Sequence, residues 1–139
     1  MTALGSVLKA VQIALADDVI AGDRAYPFGA VAGTERPYLV YFPVIVREAN
    51  ELKRDDAEIV MQIECVANRL SDAMDGAGRI SALFNNAGEQ DGGAIVGDAG
   101  WRIRTITQEG DVTRVESFEN AREIYHGGFE FRFSMEAKS

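Results

Sequence analysis

From Phe129 onward the side chains alternate, with Phe129, Phe131, Phe133 and Met135 set against Glu130, Arg132, Ser134 and Glu136. Side chains in a strand point to opposite faces with a period of two. One face of this segment is therefore wholly apolar and large, and the other wholly polar, which predicts a half-buried strand. The chain it closes has one histidine, one cysteine and no recognisable catalytic motif. A small domain with a good core and no chemistry points to work by fitting partners rather than by turnover.

At 139 residues the chain is expected to form one domain, residues 1–139, and to bury roughly 65–70% of its unfolded surface. Apolar residues make up 47% and charged residues 26%, which fits a globular protein and not a disordered one. No apolar run reaches membrane-spanning length, so no membrane partner is expected. The opening MTALGSVLKA has no basic start followed by an apolar block, so no leader is expected either. Cys65 stands alone and no internal disulfide is possible, which fits a reducing cytosol as the place of synthesis. Fourteen Lys and Arg face 22 Asp and Glu, a net charge of −8. Gripping nucleic acid needs clustered cations, so this balance argues against a DNA-binding surface, and solubility is its plainest use.

Leu4, Leu8, Val11 and Leu15, widened by Val7 and Ala14, predict an amphipathic helix over 3–16, capped by Thr2. Residues 21–37, with three glycines and two prolines, read as a long connection. Tyr38–Arg47 reads as a strand at an edge or bulged at Pro43, which has no N–H to give a ladder. Residues 49–56 form a polar turn. Ile59, Met61, Ile63 and Cys65 then mark a second strand, antiparallel to the first. Leu70, Met74, Ala77, Ile80 and Phe84 form a helical stripe, with Gly76 and Gly78 requiring a close neighbour or a weak helix at that point. Residues 86–100 hold five glycines and read as a flexible loop.

A third strand is expected from Trp101, with Trp101, Ile103, Thr105 and Thr107 on one face and Arg102 and Arg104 on the other. Val112–Phe118 reads as its return strand. The segment 122–137 closes the chain, interrupted by Gly127-Gly128 at a bulge or a close backbone approach. The order predicts an α+β fold, an antiparallel sheet of four or more strands with two helices packed on one face.

Asn85-Asn86-Ala87-Gly88 looks like a short-chain dehydrogenase string, but no glycine-rich turn follows a first strand and no Tyr-x-x-x-Lys pair exists. It reads as a turn at a helix end. His126 and Cys65 lack companions at metal-ligand spacing. Cys65 lies in an apolar alternation, where it reads as a small hydrophobe rather than a nucleophile. Asp17-Asp18 and Asp55-Asp56 read as solvated turns, and Glu89–Gly93 lacks the oxygen spacing of a calcium loop. No catalytic, metal or cofactor-binding residue is assigned. The arginines are more informative: Arg102, Arg104, Arg122 and Arg132 lie on polar strand faces among Glu119, Glu123, Glu130 and Glu136. They serve equally as solvated cross-strand pairs or as a seam between subunits, where arginine is enriched.

Taken in order, the amphipathic helix, Pro37-Tyr38-Leu39-Val40-Tyr41-Phe42 at the first strand, the strand 58–66 running into the helix from Arg69, the glycine-rich loop, and the close Arg122-Glu123-Ile124-Tyr125-His126-Gly127-Gly128-Phe129-Glu130-Phe131-Arg132-Phe133 form a familiar layout. It resembles the tail terminator (tail completion) proteins of long-tailed bacteriophages and of phage-derived gene transfer agents. The resemblance spans nearly the whole chain, in order and size, without an invariant motif. It implies a structural virion protein in a homo-hexameric ring that caps the tail tube, ends tube polymerisation and presents the head-joining surface. The implied partners are other copies of the chain, the tail tube protein and the head–tail connector protein. DNA would pass through the lumen unbound, and no cofactor or enzyme activity is implied. Subunit-interface candidates are Arg102, Arg104, Arg122 and Arg132. The alternatives are a head-side connector or stopper component, or, in another class, a small cytosolic ligand-binding or enzymatic α+β domain.

Overall fold

A computed structural model describes residues 2–18, 20–21, 23–47, 56–117 and 123–138. Helix α1 (Ala3–Leu15) is followed by strands β1 (Ala25–Pro27), β2 (Tyr38–Arg47) and β3 (Asp56–Ala67), and then by helix α2 (Leu70–Phe84). A single 3-10 turn (Glu89–Asp91) leads to β4 (Trp101–Asp111), β5 (Arg114–Ser117) and β6 (Glu123–Ala137). The sheet order is β1-β2-β3-β6-β4, with β5 also beside β6. Among the described residues only β1–β2 is parallel. The architecture is the expected α+β one, with both helices on one face of the sheet.

The closing strand is the sheet's spine, pairing with β3 on one side and with β4 and β5 on the other. Phe131, Phe133 and Met135 are fully buried on the helix side, and Phe84 of α2 stacks at 5.4 Å from Phe131 and 6.4 Å from Phe133, centroid to centroid. Their cross-strand partners Met61, Ile59 and Ala57 carry the same core across β3.

Thr2 caps α1 as expected, its Oγ1 accepting the Gly5 N–H at 3.0 Å. The buried stripe is rotated from the expected one. Ala3, Val7, Ala10, Val11, Ala14 and Leu15 face the sheet, while Leu4 and Leu8 are half-buried. Three small alanines let the helix settle close to the strands and turn the larger leucines to its flank.

The same reason corrects the stripe of α2. Ala73, Gly76, Ala77, Ile80 and Phe84 are buried, whereas Leu70 and Met74 are exposed. A Cβ at Gly76 would run into the Cys65 side chain, and one at Gly127 into the Ala73 carbonyl, so helix and sheet approach closely at both glycines. Gly78 faces open space and has no such role.

Three connections differ from expectation. Residues 21–37 are not all loop, because Ala25–Pro27 pairs beside Leu39–Tyr41 as an outer strand. Residues 86–100 are not a loose loop but a packed cover on the β4 edge. Asn86 N–H donates to the Ile106 carbonyl at 3.0 Å, Ile103 N–H donates to Glu89 Oε2 at 2.9 Å, and Ile95 is buried. Gly88 and Gly97 lie against the backbone of Arg104 and Trp101, an approach that a side chain would block. Val112–Phe118 does not turn back either. The described part, β5, runs on in the direction of β4 along the same side of β6.

Pro43 sits at a bulge, the register of β2 against β3 shifting between Pro43 and Ile45. A second bulge places Arg104 as the extra residue of β4, so that Ile106, not Thr107, returns to the core. The expected turn at 49–56 lies outside the described residues apart from Asp56, which begins β3. Asp18 corrects the reading of the acid pairs. Its side chain is buried, accepting Arg79 Nε at 2.5 Å and Ala21 N–H at 2.8 Å, and it ties the end of α1 to the middle of α2. Burial pushes its carboxyl up, but the Arg79 and Ala21 hydrogen bonds outweigh this and hold it below its ordinary value.

Candidate assembly face on the open side of the sheet

The helices cover one face of the sheet and leave the other to loops and solvent. Register assigns each side chain to a face, since cross-strand partners share one. On the open face β6 presents His126, Glu130, Arg132, Ser134 and Glu136, the polar set of its alternation. Thr107, Thr105 and Arg102 lie opposite Arg132, Ser134 and Glu136.

Three of the four arginines singled out by sequence come together here. Arg132 reaches across two strands, its Nε donating to Glu109 Oε1 at 2.6 Å and its other arm pairing with Glu58. The Glu109 hydrogen bond and both carboxylate charges hold its pKa above the ordinary value. Arg104 donates to Ser134 Oγ at 3.1 Å and lies 3.7 Å from Glu136. Arg102 is exposed and makes no ion pair among the described residues. It borders a solvent-open cleft with Glu89, Gln90, Arg104 and Glu136. Arg122 lies outside the described residues. Arg104 and Arg132 thus hold carboxylates of their own chain, and Arg102 is left with its charge outward.

A second polar cluster was not foreseen. Glu64 of β3 is almost wholly buried. It accepts both arms of Arg114 at 3.1 and 3.2 Å, Gln62 Nε2 at 3.0 Å, and shares a hydrogen bond of 3.0 Å with His126 Nδ1. His126 Nε2 lies 2.7 Å from Glu116 Oε1, in contact but without the line of a hydrogen bond. Burial pushes the Glu64 carboxyl up, but His126, Gln62 and Arg114 prevail and hold it below the usual range. The cluster ties β3, β5 and β6 together at one end of the sheet. Its one sequence signal is an acid in the middle of a strand whose neighbours Ile63 and Cys65 are apolar.

The two side chains with nucleophile and base chemistry are held apart. Cys65 faces the helices and His126 the open side, so they cannot act as a nucleophile–base pair. Burial drives the Cys65 thiol up to about 11, which leaves it inert near neutrality. Among the described residues no group of three His, Cys, Asp or Glu could hold a metal ion, and no helix is long and apolar enough to cross a membrane. Asn86 adopts the left-handed region at φ 57° as α2 ends, the turn expected of the Asn-Asn-Ala-Gly run.

Comparison with solved structures finds a similar fold in a chain of the virion of a native gene transfer agent particle. The two share a fold. The likeness has a TM-score of 0.70 at 18% sequence identity, and it covers 96% of each chain. No family model and no curated protein matches the chain.

Proposed function

We propose that this chain is a structural protein of a phage or gene-transfer-agent virion, and within the virion a tail terminator. Residues 1–139 act as one unit, a protomer of a homo-hexameric ring at the head-proximal end of the tail. The ring caps the tube, stops its polymerisation and presents the surface for the head–tail connector. DNA passes through its lumen, where an acidic chain does not hold it.

The observation that carries this reading is the fold likeness to a chain of a gene transfer agent virion, which leaves almost none of either chain over. The order of elements that resembles tail terminators supports the finer role. The open face supports work by contact, for its cleft is lined by Glu89, Gln90, Arg102, Arg104 and Glu136, without the apolar and aromatic walls usual in a small-ligand site. Arg102, Arg104 and Arg132 are its candidates for contact with a neighbouring subunit.

Particles made without this protein and imaged by negative stain test the role. Tails of irregular, excessive length and unjoined heads are expected. Normal, joined tails of native length would exclude termination.

A further inference from the structure

The connection between β1 and β2 holds out an apolar tip that the chain does not cover. From Ala25 to Thr34 no residue is charged, in a chain with 22 acids and 14 bases. Phe28 is 66% exposed and Val31 82%. The tip is nonetheless built. Phe28 N–H donates to the Tyr41 carbonyl at 2.8 Å, and Thr34 closes a turn on the Val31 carbonyl through its N–H at 3.2 Å and its Oγ1 at 2.6 Å. Phe28 itself stands at φ 67°, a left-handed conformation that is costly for a bulky residue and persists where the surroundings impose it. Here the surroundings fix a phenyl ring in water.

A matching recess lies elsewhere on the molecule. Between α1 and residues 94–97 runs a groove of about 300 Å³, with Ala10, Ile13, Ala14, Leu83, Ile95 and Val96 among its walls. Ile13 and Val96 at its mouth are 63% and 57% exposed. The volume is at the small end for a binding site and suits one or two side chains rather than a helix or a strand.

Tip and groove open in different places. Val31 and its neighbours 30–34 border a recess with Tyr38, Glu116 and Ile124 on the open side of the sheet, whereas the groove is walled by α1 and residues 94–97. Two different patches of one molecule join head to tail, the kind of contact that closes rings or extends filaments. Charge does not oppose the contact at the tip, because residues 25–34 carry none. Copies that each carry −8 repel unless they meet through neutral or opposite surfaces.

We propose that Phe28 and Val31 of one copy seat in the α1 groove of the next, so that the open face of each subunit stacks on the helix layer of its neighbour. This rests on the reading of the chain as a ring protomer and names the seam of that ring.

The test uses Phe28→Asp and Ile13→Asp in the full chain, with native mass spectrometry and a thermal melt. Both residues are exposed, so the melting temperature of each variant is expected to match the wild type, and each alone is expected to lose the oligomer. An equimolar mixture retains one sound tip and one sound groove, and is expected to give a one-to-one pair that grows no further. Wild-type assembly in either variant, a mixture that stays monomeric, or a wild-type chain that is monomeric at every concentration would overturn the seam. A ring that persists in both variants sinks the seam while leaving tail capping intact. Variants that lose the ring without altering tail length uphold the seam and count against capping.

Discussion

Gly127 marks a point of close approach between helix and sheet, because a Cβ there would run into the carbonyl oxygen of Ala73. Gly127→Ala is expected to cost about 1–3 kcal/mol through forced backbone shifts, read as a lowered denaturant midpoint; an unchanged midpoint would mean that α2 does not sit this close. Phe131, fully buried against Phe84, is expected to cost about 3–5 kcal/mol when cut to alanine, and a loss below about 1 kcal/mol would contradict its place in the core. Glu64 and Asp18 set the acid limit. Their folded-state pKa values lie below the ordinary 4.5 and 3.8, so each stabilises the fold above those values and loses that contribution as pH falls through its folded value. Stability is therefore expected to decline below about pH 5, and Glu64→Gln to flatten the decline. Melts from pH 7 downward with identical slopes for both proteins would remove Glu64 from the account.

At the scale of elements, the protein treats its sheet edges unequally. The β4 edge is closed by residues 86–97, through the Asn86 and Glu89 hydrogen bonds and the close packing of Gly88 and Gly97. Covering an edge in this way prevents sheet-to-sheet aggregation. A Cβ at Gly97 would meet the Trp101 carbonyl, so Gly97→Ala is expected to lift the cover and to raise light scattering on mild heating. A variant as soluble as the wild type would show that the cover is dispensable. Sequence made β2, β3 and β6 legible because runs such as Tyr38–Arg47 and Phe129–Met135 signal through side-chain periodicity. The cover was illegible for the converse reason, since its contacts are made by backbone against backbone and glycine contributes no periodic signal. The rotated stripes of α1 and α2 escaped similarly. Large apolar residues such as Leu70 and Met74 attract attention, while Ala73 and Gly76 make the close approach.

For the whole molecule, the arginine pattern was legible as a shared face but not as a division of labour. Periodicity placed Arg102, Arg104 and Arg132 together, yet only the fold shows Arg132 held by Glu58 and Glu109, because those acids come from distant strands. The Glu64 cluster and the Phe28 tip depend likewise on residues far apart in sequence. Arg102 is the cleanest probe of the open face. Arg102→Glu is expected to leave the monomer's melting temperature unchanged while weakening assembly, as measured by sedimentation. Unaltered assembly would remove the open face from the subunit contact. The central claim is that the chain works by shape, as one of six copies closing the head-proximal end of a tail. A reconstruction of the intact particle tests it most directly. The account predicts six copies of this fold in a closed ring between tail tube and connector, each with its open face toward the helix layer of the next. Particles with native tails in which no such ring is built from this chain would contradict it.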